Sequence, residues 1–254
     1  MIRIGPAGSG LGDEEGLREV KAKGLDALEF EFVYSVYLSN EQAKALGKLN
    51  KDLGLALSIH VPYYINLASE EKAKIAASKQ RILSSCERGN HLGAKFIVFH
   101  PGFYGKRGPA ETYAMVSTAI AEMQDIITKK GWEVTLAPET TGKGSQFGSL
   151  EELLRLRKER GCGLTVDFAH ILARNGSIDY DKVVEQVKEI RPLHAHFSGI
   201  NFGPKGERNH LLTPRDDAKK LLDALQKAKV DITIINESPD PVGDAVMMKS
   251  LLRA

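Results

Sequence analysis

The chain lacks what would place it in several protein classes. It has only two cysteines, Cys86 and Cys162, far apart in sequence, which excludes a disulfide framework or a thiolate zinc site and is read as buried free thiols in a reducing compartment. No run approaches the roughly 18 apolar residues that a membrane span needs. Met1-Ile2-Arg3-Ile4 lacks the sections of a signal peptide, so a cytoplasmic protein with no membrane partner is expected. Neither sign of charge is in excess, because 35 Lys and Arg stand against 33 Asp and Glu for a net charge of +2. Any affinity for anions must therefore come from local charge placement. What is present is ordinary globular composition, 42% apolar and 27% charged over 254 residues. No low-complexity or Pro/Gly/Ser-rich linker breaks it, so residues 1–254 are expected to form a single domain.

Short β-branched or aromatic runs alternate with longer stretches of helical periodicity, and the alternation repeats eight times. The runs are 2–4, 28–32, 55–59, 96–99, 134–137, 164–166, 193–197 and 232–235, each of strand length. Between them, sets such as Met115, Ala119, Met123 and Ile126 recur at three- or four-residue spacing, as on helices that pack against a sheet. Ser39 with Gln42 and Ser149 with Glu152 have capping-box spacing, and Thr213 before Pro214 reads as an N-cap followed by proline at the first helical position. Glycines 24, 54, 93, 131 and 161 stand where left-handed helix ends are expected. Eight strand-helix units in this length predict a closed (β/α)₈ TIM barrel.

In such a barrel, chemistry sits where the strands end at their C-termini. Strand three is followed by His60, strand four by His100, strand five by Ala137-Pro138-Glu139, strand six by Asp167 with His170 three residues on, strand seven contains His196, and strand eight leads into Asn236-Glu237. The loop after strand seven adds Glu207 and His210. Five of the seven histidines thus fall on one face; His91 lies in a helix, and His194, two residues before His196, is read as a barrel-interior residue. So many imidazoles and carboxylates around one cavity would repel or remain unpaired, so cations are expected to fill it. Mixed imidazole and carboxylate donors without thiolates favour zinc, and the number of donors exceeds what one ion uses, so two or three ions are expected.

Lys106, Arg107, Lys143, Arg174, Lys205 and Arg208 fall in loops on the same face and could grip a polyanion or simply be solvated. Tyr63 and Tyr64 could wedge between bases or pack their loop. The glycine-rich stretch 142–148 lacks the spacing of a dinucleotide fingerprint and is read as a loop passing close to a ligand or to its own backbone.

These segments resemble the endonuclease IV family of abasic-site repair enzymes essentially from end to end. His60-Val-Pro-Tyr-Tyr-Ile-Asn66, Val98-Phe-His100-Pro-Gly, Glu139-Thr-Thr-Gly-Lys-Gly-Ser-Gln-Phe-Gly148, Asp167-Phe-Ala-His170, His196 and Asn236-Glu237-Ser-Pro-Asp carry the likeness. The resemblance implies a trinuclear zinc centre in which Glu139 bridges two ions. His60 and His100 would complete one of these, Asp167, His196 and Glu237 would hold the other, and His170 would serve a third. It further implies a zinc-dependent phosphodiesterase that cuts damaged double-stranded DNA on the 5′ side of abasic sites, with Tyr63 and Tyr64 entering it; Lys106, Arg107, Lys143 and Arg208 are the expected phosphate contacts from their loop positions, and a monomer is expected. Glu139 and Glu237 are its candidate catalytic carboxylates.

Two departures stand out. Where the family reads Asp-Arg-His-His, this chain reads Glu207-Arg208-Asn209-His210, so a third ion would rely on Glu207 and His210. Where the family has a minor-groove arginine, the segment from Glu29 to Asn40 has no basic residue. The chain is also short for the family, which implies trimmed DNA-recognition loops. The competing expectation is a single-metal sugar isomerase or epimerase of the same barrel superfamily, using Glu139, Asp167, His196 and Glu237. An inactive binding module on the same fold is the third.

Overall fold

The computed structural model describes residues 1–252. Its strands in chain order are β1 (Ile2–Pro6), β2 (Ala27–Glu31), β3 (Ala56–His60), β4 (Phe96–Phe99), β5 (Gly102–Phe103), β6 (Thr135–Pro138), β7 (Gln146–Phe147), β8 (Thr165–Asp167), β9 (Leu193–Phe197), β10 (Gly199–Gly203), β11 (Gly206–Leu211) and β12 (Ile232–Asn236). Two parallel four-stranded sheets, β2-β3-β4-β6 and β1-β12-β9-β8, are joined edge to edge by the parallel bridges Ala7–Glu29 and Glu139–Thr165. The eight strands of this closed ring coincide with the eight runs read from the sequence. The two remaining pairs, β5-β7 and β10-β11, are short antiparallel ribbons in segments expected to be loops.

The helices are α1 (Asp13–Ala22), α2 (Asn40–Leu53), α3 (Lys72–Leu92), α4 (Pro109–Lys130), α5 (Leu150–Arg160), α6 (Phe168–Asn175), α7 (Tyr180–Val187), α8 (Arg215–Lys227) and α9 (Pro241–Leu251). Both expected capping boxes form, at Ser39 and Ser149, and Gly54, Gly93, Gly131 and Gly161 end their helices in the left-handed conformation. Two expectations change. The sixth unit carries two helices, because Gly176 stops α6 and Asp179 caps a new start for α7. Pro214, not Thr213, is the N-cap of α8; the Thr213 hydroxyl instead accepts from Asn236 Nδ2 at 2.7 Å, which ties it to the end of β12.

Strand alternation separates two interiors. Leu28 and Phe30 of β2 and Ile97 and Phe99 of β4 pack outward in one large core with helix residues such as Leu17, Ile82, Val116 and Leu153. Each such full burial contributes about 1.5–3 kcal/mol. The alternate residues point into the barrel, where Phe96, Val98 and Ala137 form a small separate cluster. Around that plug the buried barrel positions are polar: Glu29, Ser58, Thr165, His194, His196 and Thr233. This polar interior lies directly beneath the strand ends and shapes what forms there.

Candidate metal centre

Local structure explains several of the spacings. Asp167 is both the last residue of β8 and the N-cap of α6, its Oδ1 accepting from the His170 backbone N–H at 2.7 Å. The Asp-x-x-His spacing therefore places a strand-end carboxylate and a first-turn imidazole side by side, with Asp167 Oδ2 3.2 Å from His170 Nδ1.

Glu139 is the hub. Its carboxylate is fully buried; Oε2 lies 3.3 Å from His60 Nε2 and 3.0 Å from His100 Nε2, while Oε1 lies 3.2 Å from both His196 Nδ1 and His170 Nδ1. Glu237 Oε1 also stands 3.2 Å from His196 Nδ1. Donor atoms of His60, His100 and Glu139 come within 4.8 Å of one another, as do those of Glu139, Asp167, His196 and Glu237, so two donor groups share one carboxylate.

The residues fit metal ions by three observations. Asp167 Oδ2, Glu207 Oε2 and Glu31 Oε1 are buried yet accept no hydrogen bond among the described residues; such groups are costly unless a cation satisfies them. The 3.0–3.3 Å separations around Glu139 match the roughly 3.3 Å between neighbouring ligands of a tetrahedral ion with bonds of about 2.0–2.1 Å. The third is the tautomer: His60 Nδ1 donates to the Val61 carbonyl at 2.9 Å and His170 Nδ1 to the Thr140 carbonyl at 3.0 Å, so in each neutral ring the Nε2 lone pair is free to bind.

The altered seventh loop supplies a further group. A bulge in the β10-β11 ribbon pairs Asn201 with Asn209 but Phe202 with Glu207, leaving Arg208 as the extra residue. That extra residue turns Glu207 and His210, three apart, onto the same side, where an unbulged strand would separate them. Glu207 Oε2 then lies 3.3 Å from His170 Nε2, and the His210 ring stands 5.5 Å from the His170 ring. Ser198 Oγ donates to the Gly199 carbonyl, so His210 Nδ1, 2.6 Å from that oxygen, is the donor and its Nε2 lone pair is free. Asn209 is exposed and bonds within the ribbon. Gly142 is required here: a Cβ at that position would come within 2.2 Å of Glu207 Oε2. The glycine-rich loop does pass close to a site residue, and the Arg174 guanidinium staples it through the carbonyls of Lys143 and Gln146.

The charges are strongly coupled. Burial opposes ionisation of Glu139, but His100 and His196 hold its carboxyl well below the usual range. Burial likewise opposes charging of His60, yet Glu139 and Glu31 hold it up at about 10. His196 and His170 are also raised against burial, by Glu237 and Glu29 in one case and by Asp167 and Glu139 in the other. Without ions, all three imidazoles are thereby shifted toward the protonated form. Because a bound imidazole must be neutral, loading the centre must expel those protons, and affinity must rise with pH. Titrating zinc into metal-free protein at pH 7.5 in buffers of different ionisation enthalpy should reveal a net release of protons, His60 contributing one. Zinc binding with no proton release would show that these rings are neutral in the metal-free protein, against the raised values above.

Two carboxylates escaped the sequence reading. Glu29 and Glu31 project from β2 into the barrel; burial and neighbouring Glu29 raise Glu31 to about 8. Their signal was available: acids alternate with Phe30 and Phe32 on a strand with one face in the core. His194 is interior as expected, 2.9 Å from Glu29 Oε2.

The expected DNA contacts are dispersed. The Tyr63 ring is 59% exposed and 5.7 Å from the His60 ring, so it overhangs the centre, while Tyr64 projects into solvent. Lys143 lies 3.4 Å from Glu207, and Arg107 is bound to Glu111 and the Ala68 carbonyl. Arg208 lies against Gly203, and Lys106 and Lys205 are exposed with no carboxylate within ion-pair distance among the described residues.

Fold and site together define a (β/α)₈ barrel with an imidazole and carboxylate cluster at the C-terminal mouth of its strands. The chain belongs to the xylose isomerase-like TIM barrel family, whose profile matches residues 17–252. It is 36% identical to the uncharacterized protein MJ0133 of Methanocaldococcus jannaschii, over 98% of this chain and 96% of that protein. A probable endonuclease 4 of Geobacillus sp. (strain WCH70) is 32% identical over 70% of this chain and 66% of its own length. Among solved structures, endonuclease IV from Thermus thermophilus superposes with a TM-score of 0.76 at 21% identity, over 99% of both chains. An L-ribulose 3-epimerase superposes with a TM-score of 0.75 at 18% identity, over 100% of this chain and 94% of that one, so fold similarity does not separate the two activities.

Proposed function

We propose that the chain is a metal-dependent phosphodiesterase that incises damaged double-stranded DNA on the 5′ side of abasic sites, working as a cytoplasmic monomer with two or three zinc ions. The observation that supports this reading most is the division of the Glu139 carboxylate, one oxygen facing His60 and His100 and the other facing His196 and His170. A single-ion centre would have no use for that many imidazoles. His60, His100 and Glu139 would hold one ion, Glu139, Asp167, His196 and Glu237 a second, and His170, Glu207 and His210 a third. When bound, the ions supply Lewis-acid activation of a water and neutralise charge at phosphorus and at the leaving oxygen.

The chain's own residues do the rest. Glu139, held at the junction of β6 and β8 by its backbone N–H bond to the Phe99 carbonyl, fixes the spacing of the two donor groups. Tyr63 overhangs the centre, where it would enter the gap left by a missing base, with Tyr64 beside it. Lys106 and Arg208 would meet phosphates, and Arg107 and Lys143 would exchange the carboxylates they now hold for phosphate oxygens.

A labelled duplex carrying one reduced abasic site, which cannot undergo β-elimination, tests the proposal. The zinc-loaded protein should cut it immediately 5′ of the lesion to leave a 3′-hydroxyl and should spare the intact duplex. No incision by fully loaded protein would sink the proposal. The epimerase reading rests on the four-residue group Glu139, Asp167, His196 and Glu237. It predicts one ion per chain and conversion of a ketose, and it leaves His60, His100 and His170 without a role.

A further inference from the structure

Beneath the cluster, Glu29 faces two imidazoles across the barrel. Its Oε2 accepts from His194 Nε2 at 2.9 Å, and its Oε1 lies 2.8 Å from His196 Nε2; all three side chains are buried, with at most 1% exposure. The strands that carry them, β2 and β9, are not neighbours, since β1 and β12 stand between them.

We propose that Glu29 is a positioning residue for the metal centre: it holds His196 by Nε2, so that Nδ1 is the nitrogen offered to Glu139 and Glu237, and it withholds His194 from the donor set. The proposal rests on the metal-centre reading above. Neutral imidazole carries one proton, and the nitrogen that binds a cation must offer its lone pair. On His196, Nδ1 is 3.2 Å from Glu139 Oε1 and from Glu237 Oε1, whereas Nε2 meets only Glu29. The Glu29 carboxylate, at ion-pair distance from Nε2 though not aligned as a hydrogen bond, favours the proton on that nitrogen and so leaves the opposite one to bind. His194 meets the same carboxylate through its own Nε2, while its Nδ1 has no hydrogen-bond partner among the described residues.

Glu29, His194 and His196 are also close enough to be considered a separate ion site. Their contacts argue against it. The His194 contact is a hydrogen bond, and at 2.8 and 2.9 Å both contacts are shorter than the roughly 3.3 Å between ligands on a tetrahedral ion and shorter than the contacts around Glu139.

The test compares zinc affinities by chelator competition in the full-length wild type, Glu29→Gln and His194→Gln, and reads the His196 ring in zinc-loaded wild type by long-range proton–nitrogen correlation. The wild type should bind at least two ions, with His196 protonated at Nε2 and coordinated through Nδ1. Glu29→Gln should weaken one ion by about 10–100-fold, leave the His60 and His100 ion unchanged, and keep a wild-type circular dichroism spectrum. His194→Gln, which removes the other half of the buried pair, should leave all affinities as in the wild type. Equal losses in both variants would show that Glu29 matters only for packing, and no loss in Glu29→Gln would remove its role. Coordination of His196 through Nε2 overturns the proposal even if Glu29→Gln does not fold. One ion fewer in both variants would make Glu29 and His194 ligands themselves. Wild-type protein with no zinc above background would instead sink the metal-centre reading.

Discussion

Glu139→Gln should lower strand incision by at least about a thousandfold, equivalent to roughly 4 kcal/mol of barrier. The amide has the same shape, so the backbone bond from residue 139 to Phe99 and the bridge to Thr165 should survive. It carries no negative charge, however, and can offer only one oxygen, while the nitrogen that replaces the other would direct hydrogens at either His60 and His100 or His196 and His170. Zinc content should fall to at most one ion per chain, because the two donor groups share this carboxylate. The metal-free variant should also melt below metal-free wild type, since the protonated imidazoles lose the anion they surround; breaking a buried pair in this way costs about 3–5 kcal/mol. Turnover and zinc content near those of the wild type would remove Glu139 from the centre of the site.

Complete removal of metal should abolish incision and lower the melting temperature by at least about 10 °C. Each ion present at about a thousandfold over its dissociation constant adds about 4 kcal/mol to the native state, and for a chain of this size each kcal/mol moves the midpoint by about 2–4 °C. Zinc should restore both activity and melting temperature. The same titration reads the seventh loop. His210→Ala should lose one equivalent with the others intact, because His210 Nε2 is unengaged and Glu207 Oε2 reaches His170. Unchanged stoichiometry would mean that His210 only braces Ser198 and that the chain works with a smaller cluster. An unchanged melting temperature after chelation would show that no ion is part of the native state.

Much of this architecture was legible because the relevant physics is local. A strand that packs against helices must place apolar residues on its outer face, and a helix must begin and end with groups that satisfy its free N–H and C=O groups. Hence the eight runs, both capping boxes and four left-handed glycine ends appeared in order. The donors at the strand ends were legible for the same reason: a (β/α)₈ ring gathers the C-terminal ends of its strands at one mouth, so position along a strand already implies proximity.

What local pattern could not convey depends on register and on contacts across the barrel. Thr213 has the local form of a cap but is claimed by Asn236, 23 residues away. Glu207 and His210 share a face only because β11 bulges against β10, a feature of pairing between strands. Glu29 meets His194 and His196 only because closure of the ring brings β2 opposite β9. The sequence by itself determined the barrel, its polar mouth and the donors around Glu139, since these follow from periodicity and from the end of each strand. Only the tertiary structure decided which nitrogen of each histidine faces that carboxylate and which buried acid holds the ring in place, because a side chain's partner across a closed barrel depends on the registers of all eight strands.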